Sequence, residues 1–131
     1  MTRSAEIIAV GTELLLGNIV NSDAQMLSRE LSELGIDVYH HTVVGDNPER
    51  LKDALTIARG RADIIITTGG LGPTCDDLTK QTIAELFGKK LILHEDIVRE
   101  LEEFFRHLDP EHPMPRNNIQ QAMLPEGCTV L

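Results

Sequence analysis

Apolar and polar positions along this chain switch between two rhythms, and the switches outline an α/β fold. Ala5-Glu6-Ile7-Ile8-Ala9-Val10 is short, apolar and β-branched, as a buried strand requires. A glycine-bounded loop, Gly11 to Gly17, follows. From Asn21 to Leu34 the period turns helical: Ala24, Leu27, Leu31 and Leu34 share a face, and Gly35 supplies the stop. Ile36 to Val44 reads as a second strand. Asn47 is placed to cap a helix with Pro48 in its first turn; Leu51, Ala54, Leu55 and Ala58 form its inward stripe and Gly60 ends it. Ile64 to Thr68 is a third strand, opening into Gly69-Gly70-Leu71-Gly72-Pro73-Thr74-Cys75-Asp76-Asp77 and a helix from Leu78 to Phe87. Leu91 to Leu93 reads as a fourth strand. Asp96 to Leu108 reads as a charged amphipathic helix with Val98, Leu101, Phe105 and Leu108 inward. Three prolines make Asp109 to Pro115 irregular. Asn117 to Ala122 has room for one or two helical turns, and Met123 to Leu131 reads as two short strands around Pro125-Glu126-Gly127.

Strands alternating with helices predict a mainly parallel sheet with helices on both faces. Right-handed crossovers then bring every strand-to-helix loop to one edge of that sheet, where open α/β folds bind ligands. With 131 residues and no repeats or linkers, the chain is expected to form a single domain, residues 1–131.

Four carboxylates fall on the loops of that edge: Glu13 on the first, Asp46 on the second, Asp76 and Asp77 on the third. Spaced carboxylates suit a hard divalent cation. Acids at helix starts also cap free amides and oppose the helix dipole, and the spacing alone leaves both readings open. The glycines of Gly69 to Pro73 would let a ligand approach the backbone, with a helix N-terminus behind it. The loop is neither a Walker A motif, since no Gly-Lys-Ser/Thr follows, nor a dinucleotide fingerprint, since Cys75 stands where the third glycine would be. His40 and His41 are strand neighbours pointing to opposite faces and cannot grip one ion; His94, His107 and His112 read as surface residues. Cys75 has no nearby base in its loop, so it does not read as a nucleophile.

Charge narrows the partners. Twelve Lys and Arg stand against 21 Asp and Glu, a net charge of −9. Such a chain repels a phosphate backbone, and one Tyr, three Phe and no Trp give no stacking platform, which argues against nucleic acid. No apolar run is long enough to span a membrane. The two cysteines, Cys75 and Cys128, form no metal or redox motif, and the cytoplasm is the expected location.

Four segments carry a resemblance. AEIIAVGTELLLGNIVN (Ala5 to Asn21), VVGDNPERL (Val43 to Leu51), TTGGLGPTCDDLTKQT (Thr67 to Thr82) and NNIQQAMLPEGCTVL (Asn117 to Leu131) resemble the N-terminal domain of CinA, the competence/damage-inducible family. That domain is similar to the molybdopterin-binding domains of MogA, MoaB and gephyrin. The resemblance implies a three-layer α/β/α sandwich, a homo-oligomer (trimer or dimer) and a pyrophosphatase that cleaves ADP-ribose with a divalent metal (Mg, Mn or Co). It implies metal ligands at Glu13, Asp76 and Asp77, and catalytic carboxylates at Asp46 and Asp77. Substrate contacts are implied at Gly11, Thr12, Asn21, Gly69, Gly70, Gly72, Pro73, Thr74 and Thr79. MogA-like proteins carry two arginines where this chain has Cys75 and Asp76, which favours a metal over a side-chain cation at the phosphates. Two further readings are a nucleotide- or pterin-binding domain of molybdenum cofactor type, with Arg116 and Lys80 as its cations, and a non-catalytic scaffold for a nicotinamide mononucleotide deamidase domain. Relatives extend past the position of Leu131 with a glycine-rich loop, so a domain short of its C-terminal end is expected.

Overall fold

A computed structural model describes residues 2–71 and 78–131. Its strands are β1 (Ser4–Val10), β2 (Asp37–Val44), β3 (Ile64–Thr68), β4 (Leu91–Leu93) and β5 (Met123–Pro125). Its α-helices are α1 (Thr12–Leu15), α2 (Ser22–Glu33), α3 (Pro48–Arg59), α4 (Thr79–Leu86) and α5 (Glu95–Leu108), with a 3₁₀ turn at Arg116–Ala122. The capping chemistry read from the sequence is in place: Asn21 and Asn47 accept from the amides of Ala24 and Arg50.

β1 lies at the centre of a parallel sheet ordered β2-β1-β3. Alternate side chains of β1 build two cores. Ala5 and Ile7 pack with Ala24, Leu27 and Leu31 of α2. Ile8 and Val10 pack with Leu51, Leu55 and Ala58 of α3, with Ile83 and Leu86 of α4 adjoining. These are the three layers expected, α2 on one side and α3 with α4 on the other. A bulge in β2 shifts register so that Ala5 pairs with Val38 but Glu6 pairs with His40. The extra residue keeps Val38 against α2 while Val44 faces α3. On the α2 face, His41 Nε2 lies 2.6 Å from Ser28 Oγ.

Two strand expectations need correction. β4 does not join the parallel sheet; it pairs antiparallel with β5 in a separate two-stranded sheet. Its three residues bury little, and Ile92 and Leu93 stay exposed, so it is too short to extend the main sheet. The segment after Pro125 forms no second strand among the described residues. Cys128 N–H closes a turn onto the Pro125 carbonyl, and Gly127 sits at φ 77°, which ends the extended backbone. The first loop also contains a helical turn, α1.

At the sheet edge away from the loops, Glu6 is buried at 1% exposure. Its carboxylate accepts from Arg61 Nε and Nη2 at 2.8 Å and from Thr42 Oγ1 at 2.8 Å. The Arg61 guanidinium holds the Glu6 carboxyl below its ordinary range, against an opposing push from burial. One carboxylate thus ties β1 to β2 and to the residues entering β3. Nearby, Asp63 accepts from Ser4 N–H at 2.9 Å, which lowers its pKa. Because folding lowers the Glu6 pKa, its stabilisation is complete above the unfolded titration range and is lost as pH falls through the lower folded value. Glu6→Gln is therefore expected to cost about 2 kcal/mol at neutral pH. It should also flatten the loss of stability below about pH 4.5 in urea titrations. Equal acid slopes in parent and variant would contradict the assignment.

Candidate functional site

The loops after β1, β2 and β3 meet at the carboxyl edge of the sheet. Gly11 N–H donates to the Val44 carbonyl at 2.8 Å, which fixes the start of the first loop on the end of β2. Thr12 and Asp46 then lock the two loops reciprocally. Asp46 Oδ2 accepts from Thr12 N–H at 3.3 Å, and Thr12 Oγ1 accepts from Asp46 N–H at 3.1 Å. The Asp46 carboxylate thereby sits at the first amide of α1, where a negative charge is favoured.

The third loop turns on two left-handed residues, Gly69 at φ 81° and Gly70 at φ 64°. A Cβ at Gly69 would strike the Val10 carbonyl oxygen, and one at Gly70 would strike Thr79 Oγ1. Thr79 fastens this turn from behind: its N–H donates to the Gly70 carbonyl at 3.1 Å and its hydroxyl to the Gly69 carbonyl at 3.0 Å. The next residue, Lys80, donates to the Gln120 carbonyl at 2.6 Å, tying α4 to the 3₁₀ turn. Burial lowers the Lys80 pKa.

Between the ends of β1 and β3 lies a cleft of about 180 Å³. Its lining comes from the strand ends (Val10, Thr68 and Gly69), from the first loop (Glu13, Ile19 and Val20) and from the entry to α2 (Asn21, Ser22 and Asp23). This is the switch point of the sheet: the chain leaves β1 toward β2 on one side and returns to β3 on the other, so the loops diverge and leave a crevice. Larger hollows of about 420 Å³ beside Phe87 and about 390 Å³ beside Pro110 lie away from these loops. We therefore take the smaller cleft, where glycine turn and carboxylates converge, as the site. Its described lining carries two carboxylates, Glu13 and Asp23, and no Lys or Arg.

A family model described as "Probable molybdopterin binding domain" matches residues 6–130. The chain belongs to this family. The CinA-like protein of Dictyoglomus thermophilum is 57% identical over 126 residues, which are 96% of this chain and 30% of the relative. The chain thus spans about a third of the length of the curated relatives it matches. Among solved structures, the protein CinA from Thermoplasma acidophilum, described there as of unknown function, superimposes with a TM-score of 0.82 at 28% identity. That match covers 98% of this chain and 73% of the other. The tungsten cofactor synthesizing protein MoaB from Pyrococcus furiosus matches at a TM-score of 0.61 and 29% identity, over 84% of this chain and 64% of its own. The resemblance to CinA and to MoaB-like domains read from the sequence is thereby borne out.

Within this molybdopterin-binding-type domain, the expected site residues divide into groups. Glu13, Asn21 and Gly69 line the cleft. Gly11, Thr12 and Asp46 build the seam between the first two loops. Thr79 is buried beneath the glycine turn, so its hydroxyl shapes Gly69 rather than meeting solvent. Gly72, Pro73, Thr74, Asp76 and Asp77 lie outside the described residues. Among the described residues no three His, Cys, Asp or Glu side chains converge as a metal cluster. Sequence reading missed Asp23 and Ser22 as cleft residues; the signal was Asn21, since the first turn after a helix cap opens at the same edge. Among the described residues no helix is long and apolar enough to cross a membrane.

Gly69→Ala forces a side chain into left-handed backbone and against Val10. It is expected to cost about 2 kcal/mol or more in chemical denaturation, whereas Gly35→Ala, equally left-handed but with open space around it, should cost about 1 kcal/mol. Equal losses would show that the Val10 contact does not constrain the turn.

Proposed function

We propose that this domain hydrolyses the diphosphate of ADP-ribose to AMP and ribose 5-phosphate with the help of a divalent cation, in the cytoplasm. The observation that carries the reading is the charge of the cleft: two carboxylates and no cationic side chain in its described lining, beside a side-chain-free glycine turn. A diphosphate entering there meets repulsion unless a cation accompanies it. Two carboxylate donors are the usual protein share for a Mg²⁺-type ion that keeps waters and phosphate oxygens as its other ligands. The donor chemistry thus fits a divalent ion, with Glu13 and Asp23 holding it together with Asp76 and Asp77 of the third loop. Bound there, the ion would neutralise diphosphate charge and acidify a water.

The chain's own groups take the remaining tasks. Gly69 and Gly70 present bare backbone, so phosphate oxygens can come close. Asn21 and Ser22 offer hydrogen bonds at the start of α2, and Ile19 with Val20 gives the adenosine an apolar wall. Asp46, held by the Thr12 amide, and Asp77 are the carboxylates assigned to orient the attacking water and take its proton. The water oxygen bonds to one phosphorus, and the bond from that phosphorus to the bridging oxygen breaks.

A second reading, pterin binding without hydrolysis, is favoured by the family description and the likeness to MoaB. It calls for a side-chain cation, and the Lys80 amine already donates to the Gln120 carbonyl.

With Mn²⁺, Co²⁺ or Mg²⁺, purified protein is expected to release AMP from ADP-ribose, and chelation should abolish the release. Glu13→Gln should raise the metal concentration needed by about tenfold or more while leaving the thermal midpoint unchanged. Molybdopterin binding with no AMP release under any of the three metals would overturn hydrolysis in favour of the second reading.

A further inference from the structure

α4 is eight residues long, and its N-cap residue, Leu78, offers no side-chain acceptor to the first amides. A helix of that length gains little from its own backbone, so outside contacts must hold its first turn. Leu78, Ile83 and Leu86 pack on the core built around α3 and fix one side of α4. Two polar ties hold the first turn as well, from consecutive residues that point about 100° apart around the helix. One is Thr79, whose amide and hydroxyl fasten the Gly70 and Gly69 carbonyls. The other is Lys80, whose amine donates to the Gln120 carbonyl at 2.6 Å, 40 positions along the chain.

The acceptor of that second bond is a fixed point. Gln120 lies in the 3₁₀ turn, where Asn118 is buried. The Asn118 N–H donates to the Pro115 carbonyl at 3.0 Å, and its Oδ1 accepts from Gln121 Nε2 at 3.2 Å. Ala122, at the end of the turn, is fully buried, and its carbonyl accepts from His94 N–H at 3.0 Å, beside the pairing of β4 with β5. Lys80 itself is half-buried, and an ammonium there needs an acceptor to offset its lost water. Lys80 is not in the described lining of the cleft, so it reaches a ligand only through what it holds.

We propose that Lys80 is a positioning residue for the glycine turn: by clamping the start of α4 to the 3₁₀ turn, it sets where Thr79 holds Gly69 and Gly70. The small antiparallel sheet, which contributes nothing to the described cleft lining, thereby governs the backbone that a diphosphate would approach. The kinetic consequence rests on the proposed function; the structural one does not. Bare backbone meets a phosphate in the ground state and in the transition state alike, so a shifted turn raises KM and leaves kcat nearly unchanged.

Lys80→Met keeps the aliphatic stem and removes the donor. In the ligand-free protein, hydrogen exchange followed by NMR should show the Thr79 amide exchanging about tenfold faster or more, with α3 amides unchanged. Lys80→Arg should restore most of that protection. With Mn²⁺ and ADP-ribose, Lys80→Met should raise KM about fivefold or more and keep kcat within about twofold. Lys89→Met, which removes the same charge from an exposed position just after α4, should do neither. Thr79→Val removes the hydroxyl tie, so adding Lys80→Met to it should raise KM by less than the product of the two single effects. A raised KM with unchanged Thr79 exchange would overturn the proposal, because Lys80 would then meet the substrate directly. Full additivity with Thr79→Val would overturn it too. Should the parent protein leave ADP-ribose intact, hydrolysis fails, and the exchange alone decides: faster Thr79 exchange sustains the positioning role and unchanged exchange ends it.

Discussion

β1 has a parallel partner on each side, and the geometry of the site follows from that constraint. A right-handed crossover to β2 places α2 on one face, and the return to β3 places α3 on the other. The loops leaving β1 and β3 therefore part company, and a crevice opens where they diverge. Both faces of β1 must be apolar for this to hold, and Ile7 and Ile8 are its largest fully covered hydrophobic residues. The polar exception, Glu6, sits toward the far end of the strand and ties β1 to β2 through Thr42 and to the segment entering β3 through Arg61. The Glu6–Arg61 ion pair and the cleft thus lie toward opposite ends of one strand.

The crevice is shaped by backbone more than by side chains. Thr12 and Asp46 close the seam between two loops, and Gly69 and Gly70 turn where any side chain would collide with Val10 or Thr79. The result is a small opening whose lining includes Gly69 and two carboxylates, Glu13 and Asp23. Electrostatics then sets what can enter: an anion needs a counter-charge that the described lining lacks. The acidic balance of the whole chain, net −9, adds to that requirement.

Much of this was legible in the sequence because local physics dictated it. Asn47-Pro48 marked a helix start, Gly60 its end, and the β-branched runs marked β1 to β3. The edge that gathers Glu13, Asp46 and the glycine loop followed from crossover handedness. What failed was decided by tertiary pairing. Leu91 to Leu93 looks like a strand in any sheet, and nothing local says that its partner is Met123 to Pro125. The tail after Pro125 alternates like a strand but has a turn at Gly127 instead of a partner. Asp23 carries no local signal of its role, since its place in the cleft depends on how α2 is aimed. Thr79 was read as a contact for substrate, and burial makes it a brace for the glycine turn.

On the proposed function, the cleft accepts a diphosphate only together with a cation. Isothermal titration of the protein with the α,β-methylene analogue of ADP-ribose, which cannot be cleaved, reads this directly. Binding is expected in Mn²⁺ and none measurable in a chelator, with the Mn²⁺-dependent affinity lost in Glu13→Gln. Equal affinity in Mn²⁺ and in chelator would contradict it.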